Sequence, residues 1–216
     1  MKFSFTLSGE NAIKVSAHNV VSSDATFYAS LRVFIRQQNY LWLQDAVAAE
    51  ASVTLFFNVF AISYLEVKSQ LKSSLTQFDF QTGKQSPSLL TLPVHYGGEF
   101  GPDLEWVAES CAMTVKEVIQ AHQDAIFTVT AVGFSPGFGY LKGLPKPLRL
   151  ARRAEPRIRV PAGTVAIAEQ YSAIYPQDSP GGWHLIGRCD ESLFDITLPK
   201  PALFEVGQNV RFIAVD

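Results

Sequence analysis

The chain has 216 residues, 47% of them hydrophobic and 18% charged, and its formal net charge is −2. That is globular composition with enough chain to bury one large core or two small ones. It offers no basic field to neutralise phosphates, which argues against nucleic acid as a partner. The longest apolar run, Val53–Ile62, is broken by Thr54 and Asn58 and falls short of the roughly 20 residues of a membrane span.

From the N-terminus, Phe3, Phe5 and Leu7 alternate with polar residues before a Gly9-Glu10-Asn11 turn. This is strand periodicity rather than the unbroken apolar stretch of an export signal, so the expected location is cytoplasmic. A second strand over 12–15 is followed by a helix that starts near the capping residues Ser22, Ser23 and Asp24. Phe27, Leu31, Phe34 and Ile35 form its apolar face. Strands over 41–47 and 52–59 come next, then a helix over 61–77 with Ile62, Leu65, Leu71, Leu75 and Phe78 on one side. The order β-β-α-β-β-α predicts a small α/β, ferredoxin-like sandwich over residues 1–80.

Residues 81–91 are polar and turn-rich and read as a linker. The remainder, 92–216, opens with a strand over 92–96 and a Gly97-Gly98 break. Asp103 is a candidate N-cap for a helix reaching Ala112. Thr114 and Glu117 form a capping box for another helix, which carries Val115, Val118, Ile119 and His122 on its apolar face. Short strands then follow over 126–132, 157–161, 164–168, 183–188, 194–198 and 209–214, separated by Gly and Pro. Such punctuation predicts a closed or nearly closed barrel, making the chain mainly β with an α+β N-terminal part. Cys111 and Cys189 read as two buried free thiols in a reducing compartment.

Several motifs bear on chemistry. Gly133-Phe134-Ser135-Pro136-Gly137 matches the letters of a serine-hydrolase elbow, but Pro136 has no N–H for an oxyanion hole and glycines crowd the following helix. No phosphate-binding glycine motif occurs. His18, His95, His122 and His184 lack metal-ligand spacing. His122 reads as a structural histidine, whereas His95, at a strand end before Gly97-Gly98, is a candidate ligand contact. Arg157 and Arg159 alternate along one short strand, and two guanidiniums on one face call for an anion from the protein or from a ligand. The stretch from Ile174 to Trp183, with Tyr175, Ser179, Gly181 and Gly182, reads as a pocket rim.

Together these segments resemble one family. PVHYGGEFGPDL (93–104), GFSPGF (133–138), YL (140–141), GLP (143–145), PRIRVPAG (156–163), IYP (174–176), SPGGW (179–183), IGR (186–188) and LFD (193–195) occur in the order found in the PxpB/KipI family. That family is also described as the 5-oxoprolinase B subunit, allophanate hydrolase subunit 1 and carboxyltransferase subdomain C/D. The resemblance implies a cyclophilin-like β-barrel after a smaller α/β domain. It implies work beside a PxpC/KipA-like subunit, completed by a PxpA-like lactam hydrolase, with ATP at a site shared with or supplied by the partner. It points to ATP-dependent opening of 5-oxoproline; the alternatives within the family are inhibition of a sensor histidine kinase and urea or allophanate chemistry. On this reading Arg157, Arg159 and His95 are catalytic, and Phe134, Tyr171, Ser172, Tyr175, Ser179, Gly181 and Gly182 hold substrate, with no metal. After Ala168 the family usually runs Gly-x-Gln-Thr/Ser-Gly. Here the run is Glu169-Gln170-Tyr171-Ser172-Ala173, a departure at an expected pocket wall.

Overall fold

In the computed structural model, residues 1–18, 25–80 and 88–215 are described. The chain divides into two compact units, Met1–Pro87 and Ser88–Asp216.

In the first unit, β1 (Lys2–Leu7) and β2 (Ala12–His18) form a hairpin. Helix α1 (Ala25–Gln37), strands β3 (Leu43–Ala49) and β4 (Ser52–Phe57) and helix α2 (Tyr64–Ser74) follow. The sheet order is β1-β2-β4-β3, antiparallel throughout. Ile13, Val15, Val53, Leu55 and Phe57 are buried at period two, and Phe27, Leu31 and Ile35 of α1 are buried with them. The capping residues expected for α1 lie outside the described residues. Helix α2 starts later than its sequence suggests, because Ser63 and Glu66 form a capping box there. Its buried line is Val67 and Leu71, continued by Leu75 in a 3-10 turn, at i, i+4, i+8. Leu65, expected on that face, is exposed.

The second unit contains β5 (Leu89–Tyr96), α3 (Leu104–Ser110), α4 (Val115–Asp124), β6 (Phe127–Val132), β7 (Gly139–Lys142), β8 (Arg157–Val160), β9 (Thr164–Ala168), β10 (Tyr171–Ile174), β11 (Ser179–Gly181), β12 (His184–Arg188) and β13 (Asn209–Ala214). Seven strands close a barrel in the order β10-β7-β6-β13-β5-β12-β9. The β13–β5 pair is parallel and the others are antiparallel. Closure leaves the barrel without a free edge. Its interior is filled by Val94, Val129, Leu141, Val165, Ile167, Ile174, Ile186 and Phe212, among others. The Thr114–Glu117 box starts α4 as its residues indicate.

Four features depart from the sequence expectation. Residues 194–198 are not a strand: the Asp195 carboxylate accepts hydrogen bonds from the Thr197 N–H and hydroxyl, a local turn that competes with ladder pairing. Only a single bridge from Phe194 to Ala202 remains. Strand β7 runs through a glycine-rich stretch because Gly139 lets the Phe204 ring press on the backbone; a Cβ there would come within 2.7 Å of that ring. Strand β8, expected among the barrel strands, instead pairs with β11 in a separate two-stranded ribbon, and β5 begins three residues before the expected Leu92. Both cysteines are free, Cys189 buried and Cys111 half-buried. Among the described residues no helix is long and apolar enough to cross a membrane.

The turn at 97–101 folds back on β12. The Gly97 N–H donates to the Ile186 carbonyl at 3.1 Å, and a Cβ on Gly101 would sit 2.2 Å from that same oxygen. Backbone cannot yield as a side chain can, so Gly101→Ala must push the turn off β12. We expect it to lower the denaturation midpoint by the equivalent of about 1–3 kcal/mol, the range for overpacking. An unchanged midpoint in urea would show that this close approach is not required.

Candidate functional site

Strand parity separates two faces of the barrel wall. On β9 and β10, Val165, Ile167, Ser172 and Ile174 point inward. Ala166, Ala168, Ala173 and the following Tyr175 point outward, into a second buried cluster with Phe138, Val160, Trp183 and Leu185. The small alanines leave room for large rings. Phe138 stands edge-on to Tyr140, Tyr175 and Trp183 at centroid separations of 5.0, 5.5 and 6.0 Å, and Tyr140 meets Tyr171 at 6.1 Å. Exposed Phe134 covers Phe138 at 5.3 Å. Phe134 has φ of +76°, a conformation that costs a bulky side chain about 1–3 kcal/mol and clusters at functional sites.

The β8–β11 ribbon and residues 149–156 lie against this aromatic wall. The Arg153 N–H donates to the Gly182 carbonyl at 2.7 Å. A Cβ on Gly181 would fall 2.3 Å from the Tyr175 hydroxyl, so any larger residue there must displace that side chain. Burial pushes that hydroxyl up to about 12, so Tyr175 is a neutral hydrogen-bonding group at ordinary pH. Arg152 lies over the Trp183 ring at 5.8 Å and pairs with Glu169 at 3.4 Å.

Asp103 organises the polar part of the site. It occupies the N-cap position of α3, as its sequence context indicates, but its side chain makes no capping bond. Oδ2 instead accepts from the Leu185 N–H at 2.7 Å. Oδ1 accepts from Arg157 Nη2 at 2.7 Å and from Arg153 Nη1 at 3.4 Å. Two guanidiniums thus share one buried carboxylate, leaving one net positive charge. Arg153 Nε, Arg157 Nη1, Ser179 Oγ and Ser135 Oγ are buried with no hydrogen-bond partner among the described residues.

The residues singled out from sequence distribute unevenly. Arg157, Tyr175, Ser179, Gly181, Gly182, Tyr171 and Phe134 belong to the aromatic wall or the ribbon. Arg159 pairs with Asp178 at 2.6 Å on the exposed end of the ribbon, where Asp178 also accepts from the Ala162 N–H. His95 belongs to another cluster, 4.0 Å from Asp190 and beside Phe100, with Arg188 next to it on the ladder. Ser172 is a correction. It points into the barrel, fully buried, and its partner is His122 Nε2 at 2.9 Å, while Tyr96 meets His122 Nδ1 at 2.7 Å. A side chain sealed in the core cannot hold substrate on the outer face. The Ser135 loop leads into strand β7 and not into a helix, so it is no nucleophile elbow. Among the described residues no group of three or more His, Cys, Asp or Glu converges to hold a metal. A separate cleft of about 500 Å³ at Gly98, Glu105 and Ile119 contains none of the residues singled out. Asp103 and Arg153 are the members that motifs miss: Asp103 stands as a helix cap in the sequence and Arg153 belongs to no motif.

Two outcomes follow from these buried groups. Asp103→Ala strands two guanidiniums and the Leu185 N–H, and should cost about 3–5 kcal/mol in chemical denaturation. A loss below about 1 kcal/mol would mean that the carboxylate does not hold the ribbon. Burial also pushes His122 down from 6.5 to about 3, so the fold keeps a neutral imidazole. The unfolded chain takes up that proton as pH falls below 6.5. His122 therefore contributes stability that is lost from about pH 6.5 toward 3, by up to about 1.4 kcal/mol per pH unit. A His122→Gln variant should show a flatter dependence of unfolding free energy on pH; a curve parallel to the parent's would contradict it.

Comparison with known proteins supplies the context. Residues 3–204 match the family described as carboxyltransferase domain, subdomain C and D. The 5-oxoprolinase B subunit of Haemophilus influenzae is 40% identical over 195 residues, 83% of this chain and 88% of that protein. The Bacillus subtilis protein of the same name is 32% identical over 85% of this chain and 80% of that one. Among solved structures, TTHA0988 superposes with a TM-score of 0.82 at 30% identity over 95% of this chain, which spans 40% of that longer chain. The Kluyveromyces lactis urea carboxylase superposes at 0.77 but 16% identity, over 99% of this chain and 22% of that one, and shows the shared fold. The chain belongs to the carboxyltransferase C and D subdomain family and, within it, to the PxpB group of 5-oxoprolinase B subunits.

Proposed function

We propose that this chain is the B subunit of an ATP-dependent 5-oxoprolinase, working with a PxpC/KipA-like subunit and a PxpA-like lactam hydrolase. The observation that carries the reading is 40% identity to a 5-oxoprolinase B subunit across 88% of that protein's length. The chemistry explains why several subunits would be needed. An unstrained lactam is a poor electrophile; phosphorylating its oxygen opens the carbonyl carbon to water, the ring C–N bond then breaks, and phosphate leaves when the resulting acyl phosphate is hydrolysed. Such a step calls for cations near the transferred group and for donors that orient the lactam. In this chain Gly137 and Gly139 lead into a strand, so no phosphate-cradling loop opens a helix there. The nucleotide is assigned to a site shared with or supplied by the partner.

In this chain the aromatic wall would exclude water and orient the ring, and Arg157 would provide positive charge beside it. Tyr171 and Tyr140 extend the same wall, Gly181 lets the ribbon approach it, and Gly182 follows at its edge. Arg159 and His95, each next to a carboxylate of its own, are assigned supporting roles at the margins of this face.

The test is co-purification with a candidate PxpC-like subunit and a PxpA-like subunit, followed by ATP hydrolysis with and without 5-oxoproline and with urea as a control. Stimulation by 5-oxoproline alone is expected, and Arg157→Lys should reduce kcat/KM at least about tenfold, since it keeps the charge but loses the fork geometry. A complex that forms without stimulation by 5-oxoproline would overturn the reading and favour a binding role such as kinase inhibition.

A further inference from the structure

We propose that Arg153 and Arg157, held by Asp103 beside the aromatic wall, form with Ser179 on the same ribbon a receptor for the carboxylate of a small, flat organic acid. This deepens the 5-oxoprolinase reading and rests on it for the identity of the acid. The first ground is the inventory of hydrogen-bonding groups. Arg153 Nε and Arg157 Nη1 are donors without partners, and the Ser179 hydroxyl is also unpartnered, among the described residues. Arginine N–H groups cannot be silenced by losing a proton, and an unpaired buried donor on a charged group costs more than about 1–3 kcal/mol. What completes such a set is an acceptor, and an anionic one.

The second ground is charge. The carboxylate that faces the two guanidiniums is Asp103, and its oxygens already take three donors. The pair keeps one uncompensated positive charge. Because one oxygen of Asp103 holds Arg153 Nη1 and Arg157 Nη2, the two side chains are pinned close together with their remaining N–H groups turned elsewhere. Two fixed guanidiniums suit the two oxygens of a carboxylate. Their side chains are 35% and 25% exposed as a whole, so the pair borders solvent, while Arg153 Nε and Arg157 Nη1 are themselves covered and a ligand must displace that cover to meet them.

The third ground is the neighbourhood. Arg157 lies opposite Gly181 on the ribbon, and Gly181 abuts the Tyr175 hydroxyl. Trp183 and Phe138 continue the wall beyond it. A small acid docked on the arginines would thus lay its body along rings, where a flat apolar or amide ring packs well. The site differs from the sequence expectation in one respect: Arg153 takes the place of Arg159, which is spent on Asp178 at the surface.

The experiment is calorimetric titration of the full chain at low ionic strength with 5-oxoproline, 2-pyrrolidinone and inorganic phosphate. Arg153→Gln, Arg157→Lys, Ser179→Ala and Arg159→Ala are compared with the parent, each first checked for an unchanged denaturation midpoint. Expected is binding of 5-oxoproline, at least tenfold weaker binding of 2-pyrrolidinone, which has the ring but no carboxylate, and at least tenfold weaker 5-oxoproline binding in Arg153→Gln and in Arg157→Lys. Ser179→Ala should lose about threefold and Arg159→Ala, at the margin of the face, less than about twofold. Equal affinity for 2-pyrrolidinone, undiminished binding in both arginine variants, or no binding of 5-oxoproline would overturn the proposal. Tighter binding of phosphate would overturn the carboxylate assignment and point to a phosphoryl group as the anion. ATP turnover is not the readout, so a complex without 5-oxoproline-stimulated hydrolysis would sink the functional reading and leave this site standing.

Discussion

The buried carboxylate of Asp103 is the constraint on which the second unit's outer face depends. Taking a carboxylate out of water costs several kcal/mol, and it is sustained only when its lone pairs are met with good geometry. Here they are met from three directions at once: the β12 backbone through Leu185, and Arg153 and Arg157 from the segment laid over the barrel. The same residue's N–H donates to the Leu185 carbonyl at 3.0 Å, so the start of α3 is sewn to β12 in both senses. Helix, barrel strand and ribbon are thereby set in one arrangement by one side chain. A hydrophobic residue of similar volume could fill the space with no desolvation penalty, but it would not aim two guanidiniums.

That arrangement rests on a division of labour within single strands. Along β10, Ser172 and Ile174 serve the barrel interior while Tyr171, Ala173 and Tyr175 serve the outer wall. The interior half is unusual in carrying a polar chain, Tyr96 to His122 to Ser172, with the Ser172 hydroxyl 3.4 Å from the Ala166 carbonyl. Each member has a partner, which is the condition under which a buried polar network is tolerated in a core. The chain also ties α4 to β5 and β10, so the helix is positioned by hydrogen bonds as well as by the buried Val118. The outer half has the opposite character: small residues at the sheet surface, rings above them, charge at the rim.

Much of the fold was legible because it follows from local rules. The Thr114–Glu117 box, the period-two burial of Ile13 and Val15, and the glycine and proline punctuation of the barrel all lie within a few residues of their effects. What escaped detection depends on register or on distance. Strands β7 and β10 are four residues long, too short for periodicity to declare itself, and β7 is interrupted in character by Gly139. The side of the wall on which Ser172 falls could be known only from its pairing with Ile167. The strand expected over 194–198 failed for a local reason that the letters do contain, an aspartate two residues before a threonine. The Asp103–Arg157 pair spans 54 residues of chain; no spacing rule connects a helix cap to an arginine that far away.

The run from Glu169 to Ala173, where this chain departs from the PxpB pattern, can be placed by the same logic. Glu169 sits at the turn between β9 and β10 with φ of +54° and pairs with Arg152, whose guanidinium covers Trp183. Tyr171, standing where the family pattern has glutamine, meets Tyr140 edge-on and takes a hydrogen bond from Gln170 at 3.1 Å. These changes, together with Ala173 in place of the pattern's second glycine, fall on the outer face, and none touches the interior chain through Ser172, which keeps the hydroxyl that the pattern's Thr or Ser provides. They also fall on the aromatic side of the face and leave the Asp103–Arg153–Arg157 group intact. A substitution that exchanges an amide for a phenol adds stacking surface and replaces the amide's carbonyl and NH2 with a single hydroxyl. The chemistry altered is therefore that of the ligand's body, while the charge that would anchor the ligand is preserved.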